Sequence, residues 1–64
     1  MSSHDKILEA IEKHSITDVE LRAALRREGS KDPDHHIRQM RDGGAVTIIL
    51  ALAVFRIIGK REAA

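Results

Sequence analysis

Arg38, Gln39 and His35 are the side chains of this 64-residue chain whose types and spacing best suit contact chemistry. They sit in the stretch DPDHHIRQMRDGG, residues 32–44, which reads as one short, well-punctuated helix. Asp32 can accept backbone N–H groups as N-cap, and Pro33 fits the first helical position, where its missing donor costs nothing. Gly43 stops the helix, because glycine enters the left-handed C′ conformation freely. Ile37 and Met40 lie three apart, share one face and would seat the helix on a core. His35, Arg38, Gln39 and Arg41 largely miss that face and are expected to look outward. Such a surface suits a polar partner, with DNA as the leading candidate. The competing reading is an ordinary solvated face.

Other chemistry is poorly served. His35 and His36 are adjacent, so on a helix they point about 100° apart and cannot easily share one ion. His4 and His14 have no flanking ligand pattern, and no zinc spacing occurs. His36 is expected to be a partly buried packing residue. The chain has no Cys, which excludes a thiol nucleophile, a disulfide and a cysteine zinc site. There is no Gly-rich phosphate loop and no Ser with a recognisable base. The carboxylates fall in helix caps and on solvated faces, and a domain this small has little room for a pocket. The expectation is a non-enzymatic protein with no metal and no cofactor.

The chain as a whole must position this helix. Sixty-four residues make one small domain, which buries only about 60% of its unfolded surface. Its single aromatic residue is Phe55, so Ile, Leu, Val, Ala and Met must build the core. Small cores are often supplemented by oligomerisation. Net charge is +1, but unevenly spread: Met1 to Glu20 carries −3, Leu21 to Asp42 carries +2 and the remainder +2. The N-terminus MSSHDK lacks the apolar segment of a signal peptide. The longest uncharged apolar run, Ala45 to Phe55, is shorter than the roughly 17–25 residues of a membrane helix. These features are read as a soluble, cytoplasmic protein that does not enter membranes.

A first helix is expected from a cap at Ser2 or Ser3 to about Lys13, with Ile7, Leu8, Ala10 and Ile11 as its apolar stripe. Its outer face is acidic, which fits a supporting role. A second helix starts at the capping box Thr17-Asp18-Val19-Glu20, with Ile16 and Leu21 in the hydrophobic-staple positions. Leu21, Ala24 and Leu25 continue its buried stripe, while Arg22, Arg26 and Arg27 lie mostly off it. Gly29 ends it at about Glu28. Gly29-Ser30-Lys31 then leads into the helix at Asp32, and two short capped helices joined in this way match the helix-turn-helix pattern. A plain helical hairpin is the alternative. The final stretch, AVTIILALAVFRIIG, is apolar throughout, so periodicity does not separate strand from helix. Its ends favour β and Leu50 to Ala53 favour helix. Ala51-Leu52 is poor hairpin-turn chemistry. A helix from about Ala45 to Ile58 would be apolar all round and buried, most simply against a second copy. Residues 59–64 are expected as a solvated tail.

The order helix, capped helix, turn, third helix ending IRQMRDGGAVT, then β-prone residues closing in VFRIIG, resembles winged helix-turn-helix DNA-binding domains of bacteria and phages. The resemblance covers roughly Lys6 to Ile58 and is carried best by Ile37 to Thr47. It implies a mostly α domain, residues 1–64, with a three-helix core followed by a β-hairpin wing. The alternative to the wing is the fourth, apolar dimerisation helix at 45–58. The resemblance further implies a small transcriptional regulator that binds double-stranded DNA as a dimer, with residues 32–42 in the major groove. His35, Arg38 and Gln39 would then reach base edges, Arg suiting guanine and Gln suiting adenine. Ser30, Lys31, Arg41 and Arg22 would contact phosphates. The sequence departs from the family where Leu50-Ala51-Leu52-Ala53 replaces the polar loop of a wing. That run, with Ile48, Leu50, Leu52 and Val54 as candidate oligomerisation residues, supports a second reading: a protein-interaction module pairing through 45–58 with itself or another protein.

Overall fold

The computed structural model describes residues 3–43 and 45–63. Four helices follow in order: α1 (Ser3–Lys13), α2 (Asp18–Arg27), α3 (Pro33–Arg41) and α4 (Ile48–Ala63). No strand occurs among the described residues. The expected β-hairpin wing is therefore absent, and the last stretch is one helix.

Local chemistry explains that outcome. Thr47 caps α4: its hydroxyl accepts the Leu50 N–H at 3.3 Å, and its carbonyl accepts the Ala51 N–H. No residue in the middle of the run can take the positive φ of a tight hairpin. The helix also gives α4 a core-facing stripe. Leu50, Ala53 and Val54 are fully buried, with Ile57 packed against them. This i, i+3, i+4, i+7 spacing marks a helix face. The helix does not stop at Gly59 but continues to Ala63, so most of the expected tail is helical. Arg61 there ion-pairs with Glu20 of α2.

The earlier boundaries follow their caps. Thr17 accepts the Glu20 N–H at 3.2 Å, while the Glu20 carboxylate meets the Thr17 hydroxyl and Arg61. Asp32 accepts the His35 N–H, and Pro33 is buried at the first position of α3. The expected Ser2 cap lies outside the described residues. At the end of α2, Gly29 takes φ +97°. The Ser30 N–H reaches the Leu25 carbonyl and the Gly29 N–H reaches Arg26, the paired bonds of a Schellman turn. The same bonds close α1, from Ile16 to Ile11 and from Ser15 to Glu12. There the left-handed position is held by Ser15, at φ 52°.

Helix α2 is the organising element. It packs most extensively on α4 and then on α3, while α1 lies against α4. Leu21 and Leu25 of α2 meet Ile7, Ile11, Ile16, Ile37, Met40, Leu50, Ala53 and Val54 in one core. No polar or charged residue of the described chain is buried.

Candidate nucleic-acid interface and an exposed apolar face

Helix α3 is seated by Pro33, Ile37 and Met40, all buried. Two cross-links fix its ends. His4 Nε2 lies 2.8 Å from the Met40 carbonyl oxygen. His36, half-buried, places Nδ1 3.0 Å from the Thr47 hydroxyl. His36 thus ties α3 to the cap of α4 and packs edge-on to the His35 ring.

The opposite side of α3 faces outward. His35, Arg38 and Gln39 are exposed there, and Lys31 is exposed in the preceding turn. Lys31, Arg38 and Gln39 make no side-chain hydrogen bond or ion pair with a described residue. Three other candidate phosphate contacts are placed differently. Arg22 donates from Nε to Asp34 Oδ1 at 2.8 Å, and Arg41 ion-pairs with Asp18. Both pairs bridge α2 and α3, so these arginines are engaged by carboxylates within the chain. The Ser30 hydroxyl is buried and meets no hydrogen-bond partner among the described residues, so it is turned away from the surface. Asp42 stands exposed one turn beyond Arg38 and would oppose a phosphate. Arg26, which motif reasoning left out of the contact set, is exposed one turn beyond Arg22 on α2. Its i, i+4 relation to Arg22 was the signal available in the sequence. Among the basic residues of α2, α3 and the turn between them, Arg26, Arg27, Lys31 and Arg38 are exposed and make no ion pair with a described residue.

The four apolar residues proposed for oligomerisation divide evenly. Leu50 and Val54 are fully buried in the chain's own core, so they leave the contact set. Ile48 and Leu52 are 82% and 44% exposed. Phe55, absent from that set, is 61% exposed and lies on the same face, seven residues beyond Ile48. An apolar run carries no period that would tell its inward from its outward side, so sequence alone mixed the two.

A concavity runs between α2 and α4. Ala23, Ala24 and Ile57 line it, with Arg27, Lys60 and the Arg56–Glu28 ion pair around them. Among the described residues no three His, Asp or Glu side chains converge as metal ligands. Among the described residues no helix is long and apolar enough to cross a membrane. Comparison with protein-family models, curated proteins and solved structures gives no match.

Proposed function

We propose that this chain is a non-enzymatic DNA-binding protein, of the kind that regulates transcription, whose α3 lies in the major groove. The observation that carries this reading is the outward face of α3. His35, Arg38 and Gln39 project from a helix whose other side is locked to the core, in helix-turn-helix order behind α2. Arg38 and Gln39 have the donor patterns for base edges. Arg26 and Lys31 flank them as phosphate contacts.

The test is fluorescence anisotropy with a labelled mixed-sequence duplex over a range of salt concentrations. With about two phosphates neutralised, by Arg26 and Lys31, the log–log salt slope should be about −1.8. Among duplexes of different defined sequence, replacing Arg38 and Gln39 together by Ala should abolish preference and leave helicity unchanged. Absence of binding at low salt, or a double variant that keeps the wild-type preference, would refute the reading.

The apolar face of α4 favours a second reading, a protein-interaction module. Ile48, Leu52 and Phe55 place three large apolar side chains on one exposed helical face, and a concentrated apolar patch of this kind marks a contact site. An apolar dye such as anilinonaphthalene sulfonate should bind the dilute wild-type protein and lose that binding in Leu52→Lys. Equal dye binding by both proteins would argue against the face as a contact site.

A further inference from the structure

The exposed stripe of α4 continues beyond Phe55. Residues 48, 52, 55 and 59 recur at spacings of four, three and four, so Gly59 completes the same face. Gly59 is exposed, and a Cβ added there would meet nothing within 4 Å. Nothing within the chain requires glycine at this place, although glycine inside a helix is less favourable than alanine. A small residue on an outward apolar stripe leaves room for another helix to approach closely.

We infer that the occupant of this face is a second copy of the chain, with α4 packed antiparallel against α4 of the partner about a two-fold axis at the level of Ala53 and Val54. The inference rests on the interaction reading of α4 and names its partner. It is independent of the α3 reading. In this register the largest overhang meets the gap: Ile48 lies opposite Gly59 of the partner subunit, and Leu52 lies opposite the partner's Phe55. The stripe is thus complementary to itself when reversed, as a two-fold interface requires. A parallel pairing would set glycine against glycine and phenylalanine against phenylalanine.

Charge agrees with the antiparallel arrangement. No charged residue lies on the stripe from Ile48 to Gly59. Arg56, the nearest, is held towards α2 by Glu28. Glu62 follows Gly59 along the same side of the helix. Reversal carries it to the N-terminus of the partner helix, where the macrodipole favours a carboxylate. Parallel packing would bring the two Glu62 carboxylates together. A single-helix face supplies less than the roughly 800 Å² per partner of a standard interface, so association is concentration-dependent rather than obligate.

Sedimentation equilibrium from micromolar to millimolar protein tests this, with circular dichroism to confirm that each variant stays folded. Wild type should pass from monomer to dimer across the range. Leu52→Lys should remain monomeric. Gly59→Leu should weaken dimerisation at least tenfold, because the added side chain fills the space taken by Ile48 of the partner subunit. A merely adhesive surface would respond in the opposite sense, since the substitution adds apolar area. A wild-type protein that stays monomeric overturns the inference; if it still binds the dye, the interaction reading stands with a different occupant. A Gly59→Leu variant that dimerises as well as or better than wild type overturns the register.

Discussion

Ser15 is the residue most clearly at odds with its own backbone. It holds the left-handed position after α1, a conformation that costs L-residues about 1–2 kcal/mol. The strain persists because the turn delivers Ile16 into the core, where it is buried. Ser15→Gly should therefore stabilise the fold by about 0.5–1 kcal/mol, after allowance for the freer unfolded chain. Urea unfolding followed by circular dichroism would measure it, and a loss of stability would show that the Ser15 side chain contributes a contact. The caps at Thr17 and Asp32, and the stops at Gly29 and Gly43, were legible in the sequence because cap chemistry is local. Ser15 was not, since nothing near it marks a left-handed position. That position follows from where Ile16 must go.

At the scale of elements, α2 and α3 are joined by two ion pairs on partly exposed groups. Such pairs contribute about 0–1 kcal/mol each, so their main effect is to hold arginines that would otherwise face a phosphate backbone. Asp34→Asn removes a carboxylate from the α3 surface and releases Arg22. If α3 binds DNA, the variant should bind more tightly at low salt, with a slope steeper by about one phosphate. Its stability should change by less than about 1 kcal/mol. An unchanged slope would leave Arg22 outside the interface. The three-helix order was readable from caps and apolar spacing. The fourth element was not, because residues 45–58 satisfy strand and helix patterns alike. The Thr47 cap, the missing turn residue and the core-facing stripe of Leu50, Ala53, Val54 and Ile57 together decide it. The resemblance to winged domains fails at the wing.

The whole molecule depends on very few side chains. Leu21 and Leu25 are completely buried on the helix that touches both α3 and α4. A domain of this size has a total stability on the order of 3–10 kcal/mol. Leu21→Ala should cost about 2–5 kcal/mol, a large share of that total, so the variant should melt at a markedly lower temperature by far-ultraviolet circular dichroism. A cooperative, near-native melting curve would show that α2 is less central than its packing indicates. The absence of buried polar residues among those described means that apolar shape alone specifies this core. Phe55 gives that arrangement a spectroscopic consequence. The chain has neither Trp nor Tyr, and its one phenyl ring stands outside the core. Native folding is therefore nearly silent in ultraviolet fluorescence. A tryptophan substituted for Phe55 would report assembly rather than folding. Its emission should lie at water-exposed wavelengths in dilute solution and shift to the blue as concentration rises, while the helical signal stays constant.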